Sequence, residues 1–227
     1  MIRRSALKAL PLAAAVLVAG LTACRPVSAT GDVVKLPAPA LDAPGTTTAH
    51  DQVAILAGGC FWGVEDVFEH VKGVRRVVAG YSGGRAGTAH YNEVSYGNTG
   101  HAESVRVQFD PAQISYGQLL QVFFSVALNP TEWNRQGPDT GTQYRSVIFY
   151  ANPGQEKVAS AYIAQLTAAK AFSAPIVTQV KPLKAFYSAE AYHQDFARLH
   201  PNNPYIVYND APKVGHLKQL FPAIYRP

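Results

Sequence analysis

The chain has 227 residues, enough to bury one substantial core and too few for two large domains joined by a linker. Hydrophobic residues make up 48% and charged residues 15%, the balance of a soluble globular domain. The formal charge is +5, but Arg3, Arg4 and Lys8 stand ahead of residue 24 with no acid among them, which leaves +2 for the remainder. No Lys/Arg run appears elsewhere, so the chain carries no nucleic-acid footprint.

The N-terminus reads as an export signal. Three cations precede an uncharged apolar stretch over residues 9–23, shorter than the ~20 residues a spanning helix needs and suited to the core of a signal peptide. The stretch ends in Leu21-Thr22-Ala23-Cys24, which resembles a bacterial lipobox, where cleavage precedes a cysteine diacylated on sulfur. The expected division is a lipoprotein-type signal peptide over 1–23, a lipidated Cys24 with its linker over 24–50, and a catalytic domain over 51–227. Plain cleavage with an unmodified Cys24, giving a soluble periplasmic protein, and a retained N-terminal anchor are the alternatives. Residues 3–8 carry a faint twin-arginine pattern without the Phe. Arg25 rather than Asp follows the cysteine.

Residues 25–50 are expected to form a flexible tether. Pro26, Pro37, Pro39 and Pro44 interrupt hydrogen bonding and no amphipathic period survives. Val53-Ala54-Ile55-Leu56 then predicts a buried strand running into a turn at Gly58-Gly59. Val64, Val67, Phe68 and Val71 recur at helical spacing, closed by Gly73. A strand is expected over Val74–Ala79, followed by a glycine-rich loop over Gly80–Gly87. Val105, Val107 and Phe109 alternate with Arg106 and Gln108, a half-buried strand stopped by Asp110-Pro111. Ser115 caps a helix carrying Leu119, Leu120, Phe123 and Phe124. A strand over Arg145–Tyr150, an Ala-rich helix over 154–169, a strand over Val177–Val180 and a short helix over Ala189–Leu199 complete the pattern. The fold class is α+β, a two-layer sandwich of a mixed sheet and helices.

Only two cysteines exist, Cys24 and Cys60. With Cys24 acylated, Cys60 is a lone thiol in an exported protein, either inert in a core or reactive. Gly58-Gly59-Cys60-Phe61-Trp62-Gly63 lies where a strand meets a helix, and the glycines permit positive φ and close backbone approach. Cys60 is then at the helix N-terminus, where free N–H groups and the macrodipole favour a thiolate. Phe61 and Trp62 supply an apolar wall of a size to fit a thioether or methyl group.

Gly59-Cys60-Phe61-Trp62-Gly63 resembles the signature of the A-type peptide methionine sulfoxide reductases. Gly80-Tyr81-Ser82-Gly83-Gly84, Tyr91-Asn92-Glu93-Val94, Thr99-Gly100-His101-Ala102-Glu103, the Asn134–Asp139 block, Gly141-Thr142-Gln143-Tyr144-Arg145-Ser146 and Tyr192-His193-Gln194 are similar to that family in the same order. The resemblance spans roughly residues 53–222. It implies a ferredoxin-like plait and reduction of methionine S-sulfoxide in oxidised proteins and peptides, and of the free amino acid. It places Cys60 as the attacking thiolate and Glu103, with a raised pKa, as proton donor to the departing oxygen. Tyr91 and Tyr144 become the phenols that bond that oxygen, Phe61 and Trp62 hold the methyl group, and Asp139 and His193 orient groups nearby. No metal or bound cofactor is implied. Cys60 sulfenic acid is the expected intermediate, regenerated by an external thiol, either a thioredoxin-like protein or a small molecule. A monomer on the periplasmic face of a bacterial envelope, lipid-anchored through Cys24, is expected, repairing oxidised proteins.

The sequence departs from many relatives at two points. It has no cysteine after Cys60 to resolve a sulfenic acid, and Leu128-Asn129 precede Pro130 where many relatives have His-Asp. Two rival readings fit less of the chain. A papain-like hydrolase would use Cys60 with His193 and Asn209, but Ala57-Gly58-Gly59 lacks that family's preceding cysteine and Glu103 goes unused. A binding domain that has lost turnover would not need Cys60, Glu103, Tyr91 and Tyr144 together.

Overall fold

The computed structural model describes residues 34–42 and 51–227. The apolar stretch and Cys24 lie outside these residues. The domain opens with strand β1 (Gln52–Ala57), helix α1 (Phe61–Glu69), strand β2 (Val74–Ser82) and a short helix α2 (Tyr91–Val94). Strand β3 (Ala102–Phe109) leads to helix α3 (Tyr116–Val122), which ends in a π-turn, Phe123–Ala127. A small hairpin of β4 (Arg135–Gln136) and β5 (Asp139–Thr140) precedes strand β6 (Val147–Tyr150) and helix α4 (Pro153–Ala168). Strands β7 (Gln179–Pro182) and β8 (Phe186–Ser188), a short α5 (Phe196–Leu199) and α6 (Ala211–Leu220) close the chain.

The main sheet runs β7-β6-β1-β3-β2-β8. β3 is antiparallel to both β1 and β2, β1 is antiparallel to β6, and β6 is parallel to β7. Taken among β1, β2, β3 and β6, the central order is fourth, first, third, second. That is two split β-α-β units, the ferredoxin-like plait of an α+β sandwich with a mixed sheet. The strand period of two sorts the side chains between layers. Ala54 and Leu56 of β1, with Val105, Val107 and Phe109 of β3, join the large core shared with α1, α3, α4 and α6. Ile55, Ala57, Ala102, Val147 and Phe149 form a smaller cluster on the other face.

Local chemistry sets several boundaries as expected. Ser115 forms a capping box with Gln118: its hydroxyl accepts from the Gln118 N–H at 3.1 Å, and the Gln118 side chain accepts from the Ser115 N–H at 2.9 Å. The helix expected over Ala189–Leu199 is instead two pieces, a 3₁₀ turn at Ala191–His193 and α5, because Asp195 between them has φ +55.

Residues 34–42 correct the expectation of a free tether. Leu36 is buried in the main core, its N–H donating to Ser125 Oγ at 3.2 Å and its carbonyl accepting from Gln121 at 2.7 Å. Tyr162 donates to the Pro37 carbonyl at 2.8 Å, and Gln165 bonds Ala38 and Ala40. The Asp42 carboxylate accepts from the Gly117 N–H at 2.8 Å and from the Ser115 hydroxyl. The prolines remove few needed donors here, since side chains of α3 and α4 satisfy the extended backbone. No helix among the described residues is long and apolar enough to cross a membrane.

Candidate active site

β1 ends at Ala57 and the chain turns through Gly58-Gly59 into α1, with Cys60 at the N-cap. Gly59 has φ +99, and a Cβ there would lie 2.6 Å from Gln136 Cβ; a Cβ at Gly58 would lie 2.9 Å from the Phe123 ring. Both glycines are therefore required by close packing, and Gly59 also by its backbone conformation. Gln136 is fixed in turn: its carboxamide accepts from the Asn129 N–H at 2.8 Å and donates to the Asn129 carbonyl at 2.7 Å. Leu128 packs against Gly58. This chain thus seats the cysteine turn with the Leu128 side chain and the backbone of Asn129.

Cys60 is a free thiol only 8% exposed. The helix-end position that favours a thiolate is opposed by the thiol's surroundings. Burial pushes the thiol well above its ordinary value, the charges of Glu103, Asp210 and Asp139 add to this, and the Trp62 N–H opposes it. Desolvation and three carboxylates outweigh one helix terminus.

Glu103 opens β3 on the face that carries Val105 and Val107, which points it beneath the start of α1. It is 3% exposed and its Oε2 accepts from the Phe61 N–H at 3.1 Å. Burial raises its pKa to about 8, against the lowering effect of that hydrogen bond and with a smaller push from Asp139. At neutral pH the carboxyl is protonated, a donor beside a neutral thiol.

Tyr91 and Tyr144 face the same two groups. Burial holds Tyr91 above the ordinary phenol value, with Glu103 and Cys60 adding to the shift. Tyr144 is raised by burial and then by Glu103, Asp139 and Cys60. Both remain O–H donors at neutral pH. The Tyr91 N–H donates to Glu190 at 2.9 Å, and Glu190 also accepts from Tyr81 at 2.9 Å. Tyr144 sits in the 3₁₀ turn Thr142–Tyr144, which Arg145 ties to the start of β3 through bonds to the carbonyls of Gly100, His101 and Thr142 at 2.7–2.9 Å.

An aromatic wall completes the site. Trp62 stacks on Phe196 at 3.8 Å and donates from Nε1 to His193 Nδ1 at 3.2 Å. His193 packs 5.0 Å from Phe61 and 4.4 Å from Tyr91, and burial keeps it neutral. Asp139 accepts from the Tyr205 hydroxyl and lines, with Cys60, Asn129, Tyr205 and Lys213, a cleft of about 260 Å³. Cys60, Glu103, Tyr91, Tyr144, Phe61, Trp62, Asp139 and His193 therefore converge, from six separate stretches of chain. Cys24 lies outside the described residues. Among the described residues no group of three or more His, Cys, Asp or Glu side chains is placed to hold a metal ion.

Sequence reasoning missed the residues that hold the others in place: Gln136, Arg145, Glu190, Tyr205, Asp210 and Lys213. Gln136 and Arg145 stood inside recognised blocks and Glu190 two residues before one. Tyr205, Asp210 and Lys213 follow all of them, and only the packing of the C-terminal segment onto α1 brings them to the site.

Residues 52–223 match the family model for peptide methionine sulfoxide reductase. The peptide methionine sulfoxide reductase MsrA 2 of Mesorhizobium japonicum is 60% identical over 183 residues, which is 81% of this chain and 91% of that protein. That of Synechocystis is 51% identical over 82% of this chain and 88% of its own length. Among solved structures, methionine sulfoxide reductase A of Corynebacterium diphtheriae aligns with a TM-score of 0.58 at 32% identity, covering 77% of this chain and 87% of that one. Reduced Mxr1 of Saccharomyces cerevisiae aligns with a TM-score of 0.61 at 32% identity, over 67% of this chain and 87% of its own. The chain belongs to the peptide methionine sulfoxide reductase family, type A, oxidoreductases that act on sulfur.

Proposed function

We propose that this enzyme reduces the S epimer of methionine sulfoxide, in oxidised proteins and peptides and as the free amino acid, through a sulfenic acid on Cys60. One observation carries the chemistry: the buried Glu103 carboxyl, whose pKa burial raises to about 8, accepts a hydrogen bond from the N–H of the residue next to the thiol. Glu103 and the phenols of Tyr91 and Tyr144 donate to the sulfoxide oxygen, which makes the sulfur electrophilic and accommodates charge on the oxygen. Cys60 sulfur attacks the activated sulfoxide. In the net reaction the oxygen passes to Cys60 as sulfenic acid, the thiol proton is retained, and the methionine sulfur gains two electrons. Phe61 and Trp62 supply the apolar surface for the methyl group.

No cysteine follows Cys60, so an external thiol condenses with the sulfenic acid, releasing water. A second thiol then frees Cys60 and leaves the donor as a disulfide. A thioredoxin-like protein or a small thiol supplies both steps. The cationic start, the apolar stretch and the lipobox-like segment support a lipid anchor at Cys24 and repair of oxidised proteins at the periplasmic face of a bacterial envelope, with the enzyme acting as a monomer.

Two measurements test these statements. Racemic methionine sulfoxide is exhausted with enzyme and dithiothreitol and resolved by chiral chromatography: only the R epimer should remain, and loss of both at similar rates would refute the specificity. Labelling with a palmitate analogue should mark the wild type and not Cys24→Ser. Unlabelled wild type in the soluble periplasm would overturn the anchor.

A further inference from the structure

The C-terminal segment brings a charged pair against the nucleophile's own helix. Asp210, the last residue before α6, is fully buried, and Lys213 Nζ lies 3.1 Å from its Oδ1. The pair rests on the first turn of α1: a Cβ on Gly63 would lie 2.0 Å from Asp210 Oδ1 and 2.9 Å from Lys213 Nζ. The second carboxylate oxygen of Asp210 is buried with no hydrogen-bond partner among the described residues. An anion at that place occupies the positive end of the helix dipole, the same end that supports negative charge on Cys60. Lys213 lines the cleft that also contains Cys60 and Asp139, and it is the one cationic side chain among the cleft's lining residues.

We propose that Lys213 is a positioning residue of this reductase: it clamps Asp210 against α1 and neutralises the carboxylates around Cys60, so that the sulfur can take up negative charge. The inference rests on the reading of Cys60 as the attacking nucleophile. The groups facing Cys60 are Glu103 from β3, Asp139 from β5, Asp210 before α6, and the phenols of Tyr91, Tyr144 and Tyr205. Asp66, on α1, and Asp139 both press on Asp210. Lys213 is felt by Asp66, Asp139 and Asp210, in each case favouring the ionised carboxylate. Without it, three carboxylates near one helix turn have no shared counter-charge, and an extra negative charge beside Cys60 is costlier.

The test is the pH profile of iodoacetamide alkylation in the full chain, read on the Cys60 peptide by mass spectrometry. Lys213→Met should move the midpoint up by about one pH unit, or ~10-fold slower alkylation on the rising limb. Lys213→Arg should stay within a few tenths of a unit of wild type. Asp210→Asn removes a carboxylate and leaves no unpaired buried charge, so it folds even if Lys213→Met does not, and should move the midpoint down. An unchanged midpoint in Asp210→Asn, or in a folded Lys213→Met, overturns the proposal. The readout needs no turnover. Should Cys60→Ser retain reductase activity, the nucleophile reading fails while the alkylation result still stands.

Discussion

The N–H of Phe61 donates to Glu103 Oε2 at 3.1 Å, joining residues 42 positions apart and placing a buried carboxyl at the foot of the cysteine helix. Because burial raises that carboxyl to about 8, it is a proton donor at neutral pH, and activity should decline as pH rises through about 8. Glu103→Gln keeps an acceptor for the Phe61 N–H and loses the proton. Turnover should fall by ~10²–10⁴-fold with a small change in KM. Near-normal turnover across the pH range would remove Glu103 from the mechanism.

The same shift bears on stability, with a definite sign. The folded-state value of about 8 lies above the ordinary 4.5, so the fold favours the protonated form. Its contribution is complete below the unfolded value and is lost progressively as pH rises from about 4.5 to about 8, levelling off above. Glu103→Gln has no such loss. The Tm of the variant minus that of wild type should therefore grow over that window, measured by circular dichroism at matched ionic strength. A constant difference would mean that the carboxyl ionises as easily in the folded state as in the unfolded one.

Gly59 combines φ +99 with a Cβ position 2.6 Å from Gln136. Gly59→Ala should cost about 1–2 kcal/mol from the backbone conformation alone, with more from the clash. The turn it distorts carries Cys60, so activity should fall more than the stability loss explains. Chemical denaturation beside kcat/KM at a temperature where the variant stays folded separates the two effects.

Residues 34–42 are part of the folded unit. Leu36→Ala should destabilise by about 2–5 kcal/mol, as expected for a buried leucine, and a chain beginning at residue 51 should be less stable than one beginning at residue 34. Gly117→Ala tests the contact from the other side, since its Cβ would lie 2.5 Å from the Asp42 carboxylate. Equal urea midpoints for the two lengths would show that the segment contributes nothing.

Counting thiols leads to the final prediction. One equivalent of substrate without reductant should release one methionine per chain and leave Cys60 as a dimedone-trapped sulfenic acid, with no disulfide inside residues 51–227. A full burst with Cys60 unoxidised would exclude the nucleophilic mechanism. A Cys24–Cys60 disulfide in the envelope would show that Cys24 is unacylated and resolves the intermediate.

The sequence alone determined the pieces whose signals are local. The Val105–Phe109 alternation, the Ser115–Gln118 cap and the glycine pair before Cys60 each follow from period, hydrogen-bond chemistry or backbone freedom within a few residues. The ordered motifs named the eight residues that meet in the site. What they experience there was decided by tertiary structure. Helix-end reasoning predicts a thiolate at Cys60, yet burial together with Glu103, Asp139 and Asp210, which are distant in sequence, holds it as a thiol. The segment from Leu36 to Asp42 reads as linker because the groups that satisfy its backbone and side chains belong to α3, α4 and the π-turn, 75–127 residues away. Lys213 reads as one more surface lysine until α6 packs on α1. Electrostatics and desolvation depend on which surfaces are brought together, and local sequence carries no record of that.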